Sequence, residues 1–241
     1  MTNTSDKIVC IIPARGNSKG IENKNLVDLG GKPLLHWTIK AAKQSGVIDR
    51  IIVSTESEAI ADSARSAGAE VPYMRPTDLS QDHVHSVHVV MDLANWLERE
   101  EGTRPDNVMM LLPTSPFRTP DNLREAVALF KQTQAPAVIS TFDTGKYMTN
   151  LRYLEDGAIV PVDSSENVNA QRQGLKRLYA VNGSIYIART DALLQAGSFH
   201  MPGAVGYEMH AINSIDINSK DDLSYARFLQ KHLDVWGKFE A

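Results

Sequence analysis

The sequence contains a single cysteine, Cys10, among 241 residues, which excludes an intramolecular disulfide. A lone cysteine inside an apolar run is typical of a buried, inert thiol in a reducing compartment, and we predict a cytoplasmic protein. Long hydrophobic runs are also missing, since no stretch approaches the roughly 20 apolar residues that cross a bilayer. The polar start "MTNTSDK" does not have the pattern of a signal peptide. We therefore expect neither a membrane partner nor export.

The sequence also lacks a strong excess of charge of either sign. The 25 Lys and Arg residues nearly balance the 29 Asp and Glu residues, and the formal net charge is -4. We therefore expect no nucleic-acid partner, and any phosphate binding must come from a local cluster of cations. With 42% hydrophobic residues, the chain can bury one substantial core.

Short apolar runs alternate with amphipathic segments in the first half of the chain, and this rhythm predicts β-α-β units. Four runs rich in Val, Ile and Leu are predicted strands: "KIVCIIPA", "RIIVSTE", "NVMMLLPT" and "APAVISTF". Helices are predicted between them, including one that ends at Gly46 and one that Thr119 caps ahead of Pro120. The fold class is therefore α/β, with a Rossmann-like, mostly parallel sheet and helices on both faces.

The pattern changes after about residue 140. The segment "LRYLEDGAIVPV" predicts a hairpin around Asp156 and Gly157, and a polar, strand-poor stretch follows it. We interpret residues 143–178, approximately, as a small lobe inserted into a single domain that spans residues 1–241. "SIYIAR" and "HAINSIDI" are predicted to return the chain to the main sheet as strands, and a terminal helix is predicted to start at Ser219.

The first predicted strand ends in "PARGNSKG", at the edge where open α/β sheets bind ligands. Glycines there expose backbone amides to an anion, small polar side chains add neutral donors, and cations neutralise charge. The residues concerned are Ala14, Arg15, Gly16, Asn17, Ser18, Lys19 and Gly20, followed closely by Lys24 and Asn25. Neither the G-x-x-x-x-G-K-[ST] pattern nor the G-x-G-x-x-G pattern is present. The loop is therefore predicted to bind phosphate in a protein outside those two nucleotide-binding classes.

The stretch "IIPARGNSKGIENKNLVDLGGKPLLHWTI" closely resembles the N-terminal signature of acylneuraminate cytidylyltransferases, which make CMP-sialic acids from CTP. The resemblance continues, in order, through "RIIVSTE", "RPTDLSQD", "LLPTSPFR", "QRQ", "NGSIYI" and "SIDINSKDDL". It implies a nucleotidyltransferase-type fold and two substrates, CTP and a nine-carbon 2-keto sugar acid. The implied reaction joins CMP to the anomeric hydroxyl of the sugar acid and releases pyrophosphate.

The same resemblance implies roles for residues at the nucleotide. Arg15 and Lys24 would hold the triphosphate as catalytic residues, with the loop backbone and the Asn25 side chain near the nucleotide. The cytidine pocket would be lined by Arg75 and, in the "LSQD" stretch, by Ser80 and Gln81. Phosphoryl transfer of this kind usually requires Mg2+, which prefers oxygen ligands.

Asp216 in "SIDIN" matches the family's metal-binding and catalytic aspartate. Many members carry a second aspartate two residues later, where this chain has Asn218. Alternation along the predicted strand would put Asp216 and Asn218 on one face, so that the Asn218 carbonyl oxygen is available as a neutral ligand. We therefore expect a magnesium site of reduced charge.

Arg172 in "QRQ" would bind the sugar carboxylate through two hydrogen bonds, with Gln173 beside it. In the family this stretch belongs to a dimerisation lobe that reaches into the partner's active site, so the resemblance implies a homodimer. Asn182 and Tyr186 of "NGSIYI" would meet the sugar from the same subunit.

Two departures from the sialic acid pattern lie at the sugar pocket. Leu112 stands where sialic-acid-activating members commonly carry glutamine, and Ala180 stands where they commonly carry arginine. Both changes make the pocket less polar, and a polar sugar substituent without a partner is disfavoured. We therefore expect a preference for a deoxygenated nonulosonate of the legionaminic or pseudaminic kind.

Three alternatives remain open at this point. One is transfer to an eight-carbon 3-deoxy-octulosonate, although those enzymes usually carry "RYxSxRLPGKPL" as their first signature. Another is a related transferase that uses a different nucleotide such as GTP. The third is a nucleotide-binding regulator that keeps the fold without turnover, which the substitution at Asn218 suggests. Three histidines, His83, His85 and His88, do not have the spacing of a zinc site.

Overall fold

A computed structural model describes residues 7–18, 20–163 and 175–233. The strands are β1 (Ile8–Pro13), β2 (Asp28–Leu29), β3 (Lys32–Pro33), β4 (Arg50–Ser54), β5 (Asn107–Met110), β6 (Ala137–Tyr147), β7 (Arg152–Glu155), β8 (Ala158–Pro161), β9 (Arg177–Arg189) and β10 (Val205–Glu208). The α-helices are α1 (Leu34–Ser45), α2 (Glu58–Ser66), α3 (Ser86–Glu101), α4 (Pro120–Thr133), α5 (Thr190–Ala196) and α6 (Lys220–Leu233).

Six strands form the central sheet in the order β10-β6-β9-β5-β1-β4. β1 is parallel to β4 and β5, and β10 is parallel to β6. β9 runs antiparallel to both of its neighbours, β5 and β6. The sheet is therefore mostly parallel, as predicted, and the segments that follow β1, β4 and β5 leave it at the same edge.

Helices cover both faces of this sheet, which explains why the central strands β1 and β5 are buried along almost their whole length. Cys10 and Ile12 of β1 pack in one cluster with α1, α2 and α4, whereas Val9 and Ile11 pack on the other face with α3. The Cys10 side chain is fully buried, and burial raises the pKa of its thiol to about 12. The prediction of a buried, unreactive thiol is confirmed.

Local sequence signals set the ends of the helices. Thr119 accepts a hydrogen bond from the Asn122 amide, and the Asn122 side chain accepts one from the Thr119 amide, which together cap α4. Gly46 ends α1 in the left-handed conformation with φ of 67°. At the start of α6, the Ser219 hydroxyl accepts a hydrogen bond from the Asp222 amide at 3.2 Å. No helix within the described ranges has both the length and the apolar character needed to span a membrane.

The predicted hairpin is present as β7 and β8, joined by Asp156 and Gly157, both with positive φ. It forms a separate two-stranded sheet outside the central one. Leu154 is 77% exposed and Ile159 is 72% exposed, and these two residues are paired across the hairpin. The hairpin therefore presents apolar side chains to solvent. The extent of the inserted lobe stays a prediction, since residues 164–174 lie outside the described ranges.

The expectation of a strand over "HAINSIDI" is wrong. The strand lies earlier, at β10, and Ala211–Ser214 form a 3-10 turn. The Asn213 amide and the Ser214 hydroxyl donate to the His210 carbonyl at 3.0 Å, so short-range hydrogen bonds replace a strand ladder. The Ile217 amide then donates to the Thr114 carbonyl at 2.8 Å, which attaches this segment to the loop after β5. Asp216 and Asn218 therefore reach the sheet edge on irregular backbone.

Candidate active site

A cleft of about 440 Å³ opens at the edge of the sheet where β1, β4 and β5 end. It brings together half of the residues that the sequence predicts for the site: Arg15, Ser18, Lys24, Asn25, Arg75, Gln81, Leu112, Asp216 and Asn218. These residues come from four separate parts of the chain. Their convergence follows from the parallel strands, which deliver the loops after them to one edge.

Arg15 spans the cleft. Its Nη1 lies 2.6 Å from Oδ1 of Asp82 in the "LSQD" stretch, and a third of its side chain is exposed. The Asn25 side chain is buried and donates to the Arg15 carbonyl at 2.8 Å, which holds the loop backbone in place. Asn25 therefore shapes the loop from beneath, and Arg15 presents a cation to the cleft.

Two backbone amides of the loop are engaged within the protein, which differs from the expectation that the backbone from Ala14 to Ser18 offers amides to the nucleotide. Ala14 is fully buried and donates to the Ser54 carbonyl at 3.0 Å. Gly16 donates to the Glu56 carboxylate at 2.6 Å. Asn17 and Ser18 border a smaller depression beside the cleft, and Lys19 lies outside the described residues.

Lys24 is half-buried at the opposite wall. Its Nζ donates to the Ile217 carbonyl at 3.0 Å and lies 3.4 Å from Oδ1 of Asn218. Burial lowers the pKa of Lys24 below its ordinary value, and the carboxylates of Asp216 and Asp222 offset part of this effect. The lysine thus links the first loop of the chain to the segment before α6.

Asp216 is held by Asn218, whose Nδ2 donates to Oδ2 of Asp216 at 2.6 Å. The other oxygen, Oδ1, is buried and has no hydrogen-bond partner among the described residues. Asp222 accepts from the Ser219 hydroxyl at 2.8 Å and from the amides of Asn218 and Ser219 at 3.0 and 2.8 Å, and these bonds hold the pKa of its carboxyl below the usual range. The turn that carries Asp216 is therefore fixed by the start of α6.

A buried carboxylate oxygen without a partner fits a hard cation, because Mg2+ takes oxygen ligands. The described ranges hold no cluster of three or more His, Cys, Asp or Glu residues. Mg2+ in nucleotide enzymes needs only one or two carboxylates, since substrate phosphates and waters complete the shell. The residues present therefore fit Mg2+ and do not fit an all-protein metal cage.

Arg75 and Ser80 lie beside the loop, as predicted for a nucleotide pocket. The Arg75 side chain is only 3% exposed and contacts Oε2 of Glu56 through Nη2 at 2.7 Å. The Ser80 hydroxyl donates to the same carboxylate oxygen at 2.9 Å. Sequence reasoning missed Glu56, although its place at the end of the "VSTE" run, at the ligand-binding edge, was an available signal.

The predicted sugar-binding residues are not all at the cleft. Leu112 lines it, whereas Asn182 is buried and hydrogen-bonded to Ser140 and Ser214. Tyr186 is partly buried and packs on Phe199, with ring centroids 5.3 Å apart. Burial raises the pKa of Tyr186, and the negative charge of Asp216 adds to this effect, so the phenol lies within electrostatic reach of the site. Arg172 and Gln173 lie outside the described residues.

Arg118 is a second residue that sequence reasoning missed. Its guanidinium is fully buried, and burial lowers its pKa to about 10. It donates to the Leu112 carbonyl at 2.9 Å, to the Ser184 carbonyl at 3.0 Å and to the Thr38 hydroxyl at 3.3 Å. Arg118 thereby fixes the loop that carries Leu112 against β9 and α1.

Comparison with known proteins agrees with this geometry. A 35% identical relative, over 90% of this chain and 93% of its own length, is the CMP-N,N'-diacetyllegionaminic acid synthase of Legionella pneumophila. The pseudaminic acid cytidylyltransferase of Campylobacter jejuni is 30% identical, over 93% of this chain and 97% of its own. A solved structure of CMP:2-keto-3-deoxy-manno-octonic acid synthetase with CTP has a TM-score of 0.69 over 94% of this chain and 99% of its own.

The solved structure shares 17% of its residues with this chain, so the likeness supports the fold alone. The family described as "Cytidylyltransferase" matches residues 9–238, nearly the whole chain. That match includes both the phosphate loop after β1 and the segment that carries Asp216. On the fold, the cleft and this match together, the chain belongs to the cytidylyltransferase family.

Proposed function

We propose that the protein transfers CMP from CTP to the anomeric hydroxyl of a nine-carbon 2-keto sugar acid and releases pyrophosphate. The observation that carries this proposal is the convergence of Arg15, Lys24 and the unpartnered oxygen of Asp216 on one cleft. Two cations and a carboxylate with one oxygen that has no hydrogen-bond partner among the described residues suit a metal-bound triphosphate. Relatives named for nine-carbon sugar acids support the substrate class.

In this reaction the hydroxyl oxygen attacks the α-phosphorus of CTP and forms the new P–O bond. The bond from the α-phosphorus to the bridging oxygen breaks, pyrophosphate leaves with its electron pair, and the hydroxyl proton passes to solvent. Negative charge accumulates on the phosphoryl oxygens, and Arg15 and Lys24 stabilise it where they line the cleft. The reaction therefore depends on positioning and electrostatics and needs no covalent intermediate.

Mg2+ is the proposed cofactor. Asp216 would hold it through Oδ1, the oxygen that has no partner among the described residues. When bound, the ion would neutralise triphosphate charge as a Lewis acid. Asn218 adds no charge and directs its amide nitrogen to Asp216, so Mg2+ affinity should be modest.

The sugar is proposed to be a deoxygenated nonulosonate of the legionaminic or pseudaminic kind. Leu112 lines the cleft and offers an apolar wall where a glutamine would offer hydrogen bonds. Relatives named for diacetyllegionaminic and pseudaminic acid support this preference. Ala180 pairs with Phe142 in the sheet and is not among the cleft residues, so Leu112 carries the argument.

A homodimer is proposed from the exposed hairpin. Leu154, Ile159 and Tyr153 are each more than half exposed, and Tyr179 and Val181 of β9 are 46% and 44% exposed. Exposed large apolar side chains of this kind mark an association site. The role of Arg172 and Gln173 across a dimer interface stays a prediction, since both lie outside the described residues. The buried single thiol of Cys10 supports a cytoplasmic location.

Pyrophosphate release tests the proposal directly. The protein is mixed with Mg2+, CTP and a panel of legionaminic, pseudaminic, N-acetylneuraminic and 3-deoxy-octulosonic acids, and GTP replaces CTP in a parallel series. We expect release with CTP and a nine-carbon acid, and a loss of release in the Lys24→Ala variant. Binding of CTP without release on any sugar acid would instead support a regulatory protein.

A further inference from the structure

Glu56 joins three segments behind the cleft. Its Oε1 accepts from the Gly16 amide at 2.6 Å, which attaches it to the phosphate loop. Its Oε2 accepts from Nη2 of Arg75 at 2.7 Å and from the Ser80 hydroxyl at 2.9 Å. Glu56 itself follows β4 and is not one of the residues that line the cleft. Of its three partners, Arg75 lines the cleft. Gly16 and Ser80 are sequence neighbours of the cleft residues Arg15 and Gln81.

Arg75 is a cleft residue that contacts this carboxylate directly. Its backbone amide donates to the Thr55 carbonyl at 2.8 Å, and its Nε donates to the Ser80 hydroxyl at 3.0 Å. With Nη2 on Glu56, two of its three guanidinium nitrogens are engaged, and Nη1 has no hydrogen-bond partner among the described residues. Arg75 thus lines the cleft with one nitrogen left for a ligand.

The carboxylate is held in its charged form. Burial alone would raise the pKa of Glu56, but hydrogen bonds from the Gly16 amide, its own amide, Arg75 and Ser80 outweigh burial and lower the pKa below its ordinary value. The Arg75 side chain is 3% exposed and the Glu56 side chain 20% exposed, so the Arg75 charge in particular has little access to water as a substitute partner. Removing one partner would leave the other buried and uncompensated.

We propose that Glu56 is a positioning residue that fixes Arg75 for recognition of the cytosine base and thereby sets the preference for CTP over UTP. This inference rests on the proposed cytidylyl transfer. Cytosine offers two adjacent acceptors, O2 and N3, to a guanidinium, whereas uracil carries an N–H donor at position 3. A fixed donor therefore favours cytosine and meets a donor on uracil. A guanidinium free to move would adapt to either base.

The test compares Glu56→Gln with Glu58→Gln. Glutamine keeps the size of the side chain and removes the charge, and Glu58 is an exposed carboxylate two residues away in the first turn of α2. Pyrophosphate release is measured with CTP and with UTP over a range of nucleotide and sugar-acid concentrations. The melting temperature of each variant is also determined. Binding of CTP and of UTP by calorimetry is measured alongside.

For Glu56→Gln we expect KM for CTP to rise about tenfold and the CTP-to-UTP ratio of kcat/KM to fall about tenfold, because a hydrogen bond to a charged group is lost. The KM for the sugar acid and kcat should stay within about twofold. Glu58→Gln should match the wild type in every measurement. A purely structural role would leave the CTP-to-UTP ratio unchanged, whatever the change in melting temperature.

A folded Glu56→Gln variant with wild-type KM for CTP and a wild-type ratio overturns the inference. Should that variant fail to melt cooperatively, Glu56→Asp decides, since it keeps the charge and shortens the reach by one methylene. A lowered CTP-to-UTP ratio in Glu56→Asp supports the inference, and an unchanged ratio overturns it. A wild type without turnover would refute the proposed transfer alone, since the calorimetric CTP-to-UTP ratio still reports on Glu56.

Discussion

Asn218 donates a hydrogen bond from Nδ2 to Oδ2 of Asp216 across 2.6 Å, and its Oδ1 lies 3.4 Å from Nζ of Lys24. A single amide therefore connects the carboxylate and the cation at the rim of the cleft. Its orientation leaves Oδ1 of Asp216 buried without a hydrogen-bond partner among the described residues. The amide oxygen of Asn218 faces Lys24, and its service as a metal ligand stays a prediction.

The first prediction concerns this amide. Asn218→Asp places a second carboxylate beside Asp216 and adds charge to the metal site, so Mg2+ should bind more tightly. We expect the Mg2+ concentration for half-maximal rate to fall. Titration of the rate with Mg2+ measures it, and Asn218→Ala serves as the control that removes the amide without adding charge. An unchanged Mg2+ requirement in Asn218→Asp would place residue 218 outside the coordination sphere.

The second prediction concerns the two cations of the cleft. Arg15→Ala and Lys24→Ala should each lower kcat/KM by a factor on the order of 100 or more, because both offset charge on the triphosphate. Both variants should keep the wild-type melting temperature within a few degrees, since neither side chain belongs to the apolar core. Lys131→Ala, an exposed cation on α4, is the matched control. Near-wild-type rates in either cleft variant would refute the phosphate-loop assignment.

The third prediction concerns the choice of sugar. Leu112→Gln introduces an amide into the wall of the cleft, and an amide can pair with a polar sugar substituent that leucine leaves unpartnered. We expect the wild type to prefer a legionaminic or pseudaminic acid and the variant to shift about tenfold toward N-acetylneuraminate in kcat/KM. Leu112→Met, which stays apolar, is the control. A wild type that prefers N-acetylneuraminate would show that Leu112 does not set the preference.

The fourth prediction concerns assembly. Replacing Leu154 and Ile159 together by Asp puts two charges on the exposed hairpin, and buried like charges oppose association. We expect the wild type to sediment as a dimer and the double variant as a monomer with an unchanged melting profile at low concentration. A control substitution at exposed Glu155 to Gln leaves the apolar pair intact. A wild type that is monomeric and fully active would contradict the dimer.

The fifth prediction concerns acid stability. The pKa of Glu56 is lower in the folded chain than its ordinary value, so its stabilising effect is present above the ordinary carboxylate range and is lost as the pH falls through the folded pKa. Glu56→Gln should therefore melt at a lower temperature than the wild type near neutral pH. The two melting curves should converge in acid. A constant difference at every pH would mean that the charge of Glu56 does not stabilise the fold.

Local sequence patterns predict correctly those strands and helix ends that depend on neighbouring residues. The strands β1 and β4 follow from dense apolar runs that both faces of the sheet bury, and the cap at Thr119 follows from the residues beside it. The strand predicted over Ala211–Ser214 does not form, because polar groups of this segment bond to His210 nearby. The sequence pattern alone does not reveal that such local hydrogen bonds replace a strand ladder.

The mostly parallel α/β fold, the glycine-rich loop after β1 and the chemical groups at the sheet edge could be predicted from the sequence, because apolar runs and the residues after them specify which segments meet there. The pairing of those groups depends on how the chain packs. Glu56 reaches back to Gly16 and forward to Arg75, and Lys24 meets Asn218 from 194 residues away. Hydrogen bonding and burial depend on distances between segments that the linear pattern does not contain, and these distances decide which donors are occupied and which remain for a ligand.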